Sequence, residues 1–175
     1  MTCDIHLFVE KKFRKQEVKS IDGYYWFPCA FHGEFSDKLY GMFAALNNVR
    51  NYWNIEPLED RGLPKDIGVV AFRNYYKLIG SKETEDEYSC SKEDADKWVK
   101  EGLSVILDYN GFKYCSDPDA HSPNWCTAKE MEECCNRVFK NNLGDGIEWI
   151  ALSEYMKALE KTGEFETRAV FWFDN

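Results

Sequence analysis

The sequence predicts an α+β fold, a single domain over residues 1–175 in which a mainly antiparallel sheet, including the N- and C-terminal strands, packs against three to four helices. Three observations predict this class. Apolar residues alternate with a period of two at both ends of the chain, and they recur at helical spacing between the ends. The third observation is composition, because 44% hydrophobic and 16% aromatic residues in a chain of 175 are enough to bury a core.

The first predicted strand lies in the opening sequence MTCDIHLFVE. Successive side chains of a strand point to opposite faces of the sheet. One face is therefore apolar and expected to be core, whereas the other carries a carboxylate and an imidazole close together. These two faces consist of Cys3, Ile5, Leu7 and Val9, and of Asp4, His6, Phe8 and Glu10, respectively.

A turn, a second strand and a helix are predicted next. The dipeptide Asp22-Gly23 favours a hairpin turn into an aromatic strand over residues 24–27. Apolar residues at helical spacing from Leu39 to Trp53 predict a helix with one buried face, and Arg50 falls at the edge of that face. The segment NIEPLEDRGLPKDIG around Arg61 is rich in turn formers and predicts a loop.

The next elements are predicted from periodicity, turns and capping residues. The segment VVAFRNYYKLIG fits either a strand or a helix, and both interpretations stay open. Ser91 and Asp94 mark the start of a short helix that ends near Gly102. Asn110-Gly111 is the preferred type I′ turn between two β-prone segments, so a hairpin is predicted there.

Two further helices and a last strand complete the chain. Thr127 with Glu130 predicts a capping box, and Asp145 with Glu148 predicts a second one in which Asp replaces the usual Ser or Thr. The C-terminal segment FETRAVFWFDN alternates as a strand, and the N-terminal strand is its expected neighbour. The predicted buried faces of the two helices are Met131, Cys134, Cys135 and Val138, and Trp149, Leu152, Met156 and Leu159.

Charge and cysteine content disfavour several classes of protein. The formal net charge of -9 argues against nonspecific nucleic-acid binding, which needs an excess of Lys and Arg. Seven cysteines, an odd number, and the lack of a charged-then-apolar N-terminal leader predict mostly free thiols and a cytoplasmic location. No apolar run approaches the roughly 20 residues that a membrane span needs, so no membrane partner is expected.

The first candidate site is the pair Asp4 and His6. Both side chains point to the same strand face, roughly 6–7 Å apart along the chain, so together they can bind one ligand or one metal ion. Cys3 points to the opposite face, and a C-x-x-H zinc site is therefore not expected. The alternative is a structural pair in which His6 donates to Asp4 or to a backbone carbonyl.

The second candidate site is the segment SDPDAHSPNWCT, residues 116–127. It places Asp119, His121 and Ser122 in a short loop before a helix N-terminus, where unpaired backbone N–H groups favour phosphate or carboxylate. The alternative is an ordinary turn, since Asp, Ser, Asn and Pro are common before helices. The cysteines on either side of His121 match no common zinc spacing.

The third candidate site joins Arg50 and Asn51 with Arg61. Two guanidinium groups are suited to bidentate recognition of a carboxylate or a phosphate. The alternative is that one of the arginines forms a structural ion pair with an acidic side chain. The aromatic residues offer a stacking surface for a nucleobase, although most rings in a chain of this size form core.

Motifs of the common nucleotide-binding and hydrolase folds are absent from the sequence. The chain has no G-x-x-x-x-G-K-[ST], G-x-G-x-x-G, G-x-S-x-G or H-E-x-x-H. No cysteine stands in a recognisable nucleophile motif, which disfavours a thiol protease.

Several blocks of the sequence carry a resemblance to a known family. The blocks MTCDIHL, FAALNNVRN, RGLPKD, HSPNWCTAKE and AVFWFDN together resemble an uncharacterised family of phage and prophage proteins with an N-terminal M-x-C-D-I-H motif. The resemblance covers essentially the whole chain. One block of that family reads D-x-H-S-x-S-W-L-T, from which Asn124 and Cys126 depart, so a role for a second serine is weakened. The resemblance implies a phage or mobile-element origin and supplies no reaction.

The sequence leads to three hypotheses of function and assigns no cofactor. In the first, a phage-type accessory protein binds a small anionic molecule, with a nucleotide derivative as a candidate, in a pocket lined by Asp4, His6, Arg50, Asn51, Arg61, His121 and Ser122. In the second, a divalent metal ion activates water against a phosphoester and is bound by Asp4, His6, Asp119 and His121. In the third, an acidic interaction protein inhibits a host factor by surface contact, as the ETEDE run would allow.

Overall fold

The computed structural model describes residues 3–15, 25–35, 38–80, 88–143 and 146–174, and it confirms the α+β class. Within these ranges the chain forms five helices and two sheets, where the sequence predicted three to four helices and one sheet. In chain order the elements are β1 (Asp4–Phe13), β2 (Phe27–Phe35), α1 (Tyr40–Asn47), α2 (Val69–Tyr75), β3 (Tyr76–Gly80), β4 (Ser89–Ser91), α3 (Lys92–Lys100), β5 (Ile106–Tyr109), β6 (Phe112–Ser116), β7 (His121–Thr127), α4 (Ala128–Lys140), α5 (Ile147–Lys161) and β8 (Phe165–Asp174).

The chain divides into two units, each with its own sheet. The first unit consists of Met1–Val69 together with His121–Asn175, and the second consists of Val70–Ala120. The single domain over residues 1–175 stays a prediction. Among the described residues, no helix combines the length and the apolar character that crossing a membrane requires.

An antiparallel sheet with the strand order β2-β1-β8-β7 forms the first unit's framework. Strands β1 and β8 pair along their whole length, from Asp4 opposite Asp174 to Phe13 opposite Phe165. The predicted pairing of the N- and C-terminal strands is therefore confirmed.

One face of this sheet is covered by α1, α4 and α5, which form the hydrophobic core with it. The predicted core face of β1, which begins with Cys3 and Ile5, is confirmed, because its four residues are at most 1% exposed. The predicted buried face of α4 is also confirmed, and in α5 Leu159 is only partly buried. Each large apolar side chain buried in this way contributes roughly 1.5–3 kcal/mol of stability.

Helix α1 ends earlier than its apolar pattern predicts. Asn48 adopts the left-handed conformation, with φ 59°, and its N–H donates to the carbonyls of Phe43 and Ala44. A left-handed residue after the last turn closes a helix. The predicted continuation to Trp53 is therefore wrong, and Trp53 lies 46% exposed in the turn that follows.

The segment SDPDAHSPNWCT is a strand over part of its length, where the sequence predicted a loop. Residues His121–Thr127 form β7, the edge strand that pairs with β8. The pairing register shifts between His121 and Asn124, and Pro123, which has no N–H to donate, lies within this bulge. The polar residues of this segment are also common in turns, and an edge strand tolerates them, so the sequence alone did not distinguish the two. The capping box of Thr127 and Glu130 is confirmed at the start of α4.

The second unit contains a smaller sheet with the strand order β4-β3-β6-β5, in which only the β3–β4 pair is parallel. The ambiguous segment VVAFRNYYKLIG is both helix and strand, since α2 runs directly into β3 at Tyr76. Asn110 and Gly111 have positive φ values of 50° and 80°, and the predicted hairpin joins β5 to β6. Ser91 caps α3 by accepting from the N–H of Asp94, as predicted.

Some sequence predictions lie outside the described residues. They concern the hairpin turn at Asp22-Gly23, the beginning of the second strand at Tyr24, the acidic run over residues 83–87 and the capping residue Asp145. They stay predictions.

Candidate functional site

The end of the first sheet carries Asp4, His6 and Asp174 on neighbouring strands. His6 Nε2 lies 2.9 Å from Asp174 Oδ2, and the His6 ring stacks on Trp172 with 5.6 Å between the ring centroids. Asp4 lies directly opposite Asp174 in the strand register and forms an ion pair with Lys38. The hydrogen-bond partner of His6 is therefore Asp174 rather than Asp4.

His121 lies at the same end of the sheet but on the opposite face. It is opposite Phe173 in the register and stacks on that ring with 6.1 Å between centroids, whereas His6 stacks on Trp172. Trp172 and Phe173 are consecutive in one strand and so point to opposite faces. The sheet does not aim the two histidines into one pocket, which the sequence had led us to expect.

Arg50 also reaches this end of the sheet. It follows α1 with a positive φ of 53°, and its Nη1 donates to the hydroxyl of Tyr52 at 3.4 Å. Burial raises the pKa of the Cys3 thiol, and the nearby Arg50 guanidinium partly offsets the rise. Burial lowers the pKa of His121; Asp174 opposes this change and Arg50 adds to it. Asp174, which the predicted site did not include, thus lies at the same end of the sheet as Arg50 and the two histidines.

Asn51 and Ser122, two further predicted site residues, have structural partners. Asn51 closes the turn after α1, because its side chain accepts from the N–H of Ile55 at 2.9 Å and donates to the Ile55 carbonyl at 2.7 Å. The Ser122 carbonyl accepts from Asn47 Nδ2 at 2.8 Å, and its hydroxyl lies 3.1 Å from Nδ1 of His121. Both residues position backbone segments near the sheet end.

The metal-site hypothesis finds no matching arrangement. Across the described ranges, no three side chains of His, Cys, Asp and Glu come together in a way that could hold a metal ion. Asp119, the fourth proposed ligand, lies in a turn in which its N–H donates to Asp117 Oδ1 at 3.1 Å. The hydrolase hypothesis therefore gains no support from the positions of its proposed ligands.

Arg61 lies away from the other predicted residues and lines a cavity of about 600 Å³. The cavity is on the face of the first sheet opposite the helices, and we call it the tryptophan cavity because Trp26 and Trp125 lie in its wall. Three further cations, Lys12, Lys65 and Arg168, line it with Arg61. Its volume falls in the range of about 300–1,000 Å³ that small-molecule sites occupy.

One wall of the tryptophan cavity is held by Arg168, which is 4% exposed. Its Nε donates to Glu10 Oε2 at 2.8 Å, its Nη1 donates to Asp66 Oδ1 at 2.6 Å, and its guanidinium lies 3.9 Å from the centre of the Trp26 ring. Glu10 also accepts from the Gly68 N–H at 2.8 Å. Every charged group of this wall is thus hydrogen-bonded, which makes it rigid.

The pKa values of the two carboxylates in this wall shift in opposite directions. Burial raises the pKa of Glu10, and the Arg168 guanidinium and the Gly68 N–H oppose the rise. Burial would also raise the pKa of Asp66. Hydrogen bonds from Arg168 and Trp26 outweigh this effect, and the pKa of Asp66 is lowered. Asp66 is therefore ionised at neutral pH and supports the positive charge of Arg168.

The other wall is formed by Arg61 and Trp125. The Arg61 guanidinium lies 4.3 Å from the centre of the Trp125 ring, and its Nη2 donates to Glu130 Oε1 at 3.0 Å. Its backbone N–H donates to Oδ1 of the fully buried Asn124 at 3.2 Å. Arg61 Nε is buried and has no hydrogen-bond partner among the described residues. One donor of this side chain is therefore paired with Glu130, while another, Nε, lacks an acceptor among the described residues.

Sequence reasoning found only Arg61 of this cavity. The signal for Arg168 was present, since strand alternation places it on the same face as Glu10 once β1 and β8 are paired. Trp125 lies in the second candidate segment of the sequence analysis, but the face to which its side chain points depends on the bulge at Pro123. No local pattern relates Trp26 to either residue.

Comparisons with protein-family models, with curated proteins and with solved structures find no match to this chain. The resemblance to a phage and prophage family and the phage origin that it implies therefore stay predictions.

Acidification is expected to destabilise the protein in part through His121. The pKa of His121 is lowered in the folded state, so the unfolded chain binds more protons below the ordinary His pKa of about 6.5. Stability should consequently fall as the pH drops from about 7.5 to about 5.5. Urea unfolding at both pH values should show a smaller drop for His121→Phe than for the unaltered chain.

The control for this prediction is His32→Gln. His32 is exposed and its Nδ1 lies 3.1 Å from the Cys29 carbonyl, so this variant should retain the full pH dependence. An identical drop in His121→Phe and the unaltered chain would contradict the prediction.

Proposed function

We propose that this protein binds a small molecule with a planar ring and an anionic group, such as a nucleotide derivative, in the tryptophan cavity. The observation that carries the proposal is a cavity of about 600 Å³ whose walls combine two indole rings with four cationic side chains, beside the carboxylates of Asp66, Glu160 and Glu166. Most of the surface of a nucleotide-sized molecule can be buried in a site of this volume.

The ring of the ligand would stack on the aromatic and guanidinium groups of the walls. Trp125 is only partly buried, and the Arg61 guanidinium already lies over its ring, so a flat π-system has two kinds of partner here. Stacking of a base on an aromatic side chain contributes roughly 1–3 kcal/mol. Rigid walls reduce the entropy that binding would cost.

Arg61 and Lys65 would hold the anionic group. Arg61 Nε is buried without an acceptor among the described residues, and a phosphate or carboxylate oxygen would supply one. Lys65 is exposed and has no ion-pair partner in the part of the chain that the structure describes. By contrast, Lys12 and Arg168 are already paired with Glu166 and with Glu10 and Asp66.

The sheet end around Asp174 supports the proposal less well. Its histidines lie on opposite faces of the sheet, so one pocket between them is not expected. We thus retain the first hypothesis from the sequence, an anion-binding pocket, but at a different place. Arg61 is the residue that the predicted pocket and the tryptophan cavity have in common. The enzymatic hypothesis and the surface-inhibitor hypothesis have no comparable observation in their favour.

Isothermal titration with a panel of nucleoside phosphates, cyclic nucleotides and sugar phosphates tests the proposal. We expect at least one planar anion to bind and to quench tryptophan fluorescence. Trp125→Leu should weaken that binding by about 5- to 100-fold through the lost stacking. Lys65→Gln should weaken it by roughly 10-fold through the lost charge.

Two matched controls identify the site. Arg50→Gln removes an arginine at the sheet end, and Lys129→Gln removes a lysine that is 84% exposed on α4; neither should change the affinity. The proposal fails if no member of the panel binds, or if Arg50→Gln weakens binding while Trp125→Leu does not.

A further inference from the structure

The second unit contains two cysteines whose sulfur atoms touch. Cys90 Sγ and Cys115 Sγ are 3.3 Å apart, although the residues are 25 positions apart in the chain. Cys90 lies on β4 and Cys115 on β6, the two strands that flank β3. The close approach is therefore a product of the sheet and not of the local sequence.

Strand register places the two thiols on the same face of the sheet. Cys90 is opposite Ile79 of β3, and Cys115 is opposite Lys77. Positions 77 and 79 are two residues apart in one strand and so share a face, and their cross-strand partners lie on that same face. Both thiols consequently lie on one side of the sheet and converge over β3.

Other thiols of the chain are arranged differently. Cys3, Cys134 and Cys135 each direct the sulfur at a backbone carbonyl, at 3.6–3.8 Å. Cys126 is completely buried in the core of the first unit. A contact between two thiols distinguishes Cys90 and Cys115 from these.

We propose that Cys90 and Cys115 are a thiol–disulfide exchange site that takes a low-molecular-weight disulfide as its co-substrate and becomes an internal disulfide. A disulfide bond needs the sulfurs at about 2.05 Å and the Cα atoms within about 7 Å, so the sulfurs would approach by roughly 1.3 Å and β4 and β6 would draw together at this point. Cys90 is partly exposed whereas Cys115 is completely buried, so Cys90 is the residue that a solute reaches first.

The exchange proceeds in two steps whose atoms and electrons balance. The Cys90 thiolate attacks one sulfur of the small disulfide, a mixed disulfide forms, and the first small thiolate leaves. The Cys115 thiolate then attacks the Cys90 sulfur, the internal disulfide forms, and the second small thiolate leaves. The two protons released by the cysteines pass to the two leaving thiolates, and the two electrons reduce the small disulfide.

Burial and the charge of Lys77 act in the same directions on both thiols. Burial raises the pKa of both thiols, that of Cys115 to about 12, and the positive charge of Lys77 partly offsets this at each of them. The fraction of each cysteine present as thiolate is therefore small at neutral pH, and the second step depends on the short distance between the sulfurs.

Incubation of the full chain with glutathione disulfide tests the proposal. We expect the mass to fall by two hydrogen atoms, two of the seven thiols to stop reacting with a maleimide, and a peptide map to contain Cys90 linked to Cys115. Reduction with dithiothreitol should restore all thiols. This readout needs no variant and no bound ligand.

Single variants separate the two steps. Cys115→Ser should stop at the mixed disulfide and keep one glutathione on Cys90, whereas Cys90→Ser should leave Cys115 unmodified because it is buried. Cys29→Ser removes another partly exposed thiol and should form the internal disulfide as the unaltered chain does. The proposal is overturned if the unaltered chain stops at glutathionylated Cys90, or if the disulfide joins any other pair.

Discussion

Replacing Arg168 with Met is expected to lower the free energy of unfolding by about 3–5 kcal/mol, because it leaves the Glu10 carboxylate buried without its cation. Glu10 and Arg168 are 3% and 4% exposed, and their hydrogen bond is 2.8 Å long. The variant also removes the contacts of Arg168 with Asp66 and Trp26. In a chain of this length the melting temperature should fall by roughly 6–20 °C.

The matched control for this prediction is the neighbouring pair Lys12 and Glu166, which joins the same two strands. Its ammonium and carboxylate are 2.9 Å apart, but the two side chains are 35% and 45% exposed. Lys12→Met should therefore cost less than about 1 kcal/mol. A double variant, Glu10→Gln with Arg168→Met, should lose less than the sum of the single changes. Equal losses for Arg168→Met and Lys12→Met would show that burial does not decide the effect.

Replacing Asn124 with Leu is expected to cost about 2–4 kcal/mol and to disturb the tryptophan cavity. Asn124 is fully buried, and its Nδ2 donates to Asn47 Oδ1 and to the Glu59 carbonyl, both at 3.0 Å. Its Oδ1 accepts from the Arg61 N–H. The variant leaves these buried partners without hydrogen bonds and removes the bond that positions the backbone of Arg61. Ligand affinity should therefore fall together with stability.

Denaturant unfolding measures the first effect, and titration with a bound member of the nucleotide panel measures the second. Asn51→Leu is the comparison, because Asn51 makes three side-chain hydrogen bonds but is only partly buried, so water can replace them. We expect a smaller loss of stability for Asn51→Leu and no change in affinity. A loss in Asn51→Leu as large as that in Asn124→Leu would contradict the explanation by burial.

Several elements could be predicted because their signals are local. The alternation around Ile5, the capping box at Thr127 and the type I′ turn at Asn110 each depend on residues a few positions apart. Strand alternation also placed Asp4 and His6 on one face. These patterns act within one element, so the chain around them is sufficient to interpret them.

The arrangement of the site depended on pairing between distant segments. His6 and His121 were expected to share a face, but the register of β7 on β8 places His121 with Phe173 rather than with Trp172. Asp174 comes next to His6 only through the pairing of β1 with β8. A shift of the pairing register by one residue moves every side chain of a strand to the other face of the sheet. The local sequence contains no signal for such a shift.

By itself the sequence determined the α+β class, the core face of β1, the buried face of α4 and the loop around Arg61. Only the tertiary structure decided that Arg61 lies over Trp125, that Arg168 joins Glu10 to Asp66, and that the Cys90 and Cys115 thiols meet. Periodicity and capping arise from steric and hydrogen-bonding preferences of adjacent residues. The cavity and the thiol pair arise from packing and register between segments far apart in the chain, which depend on all of the core at once.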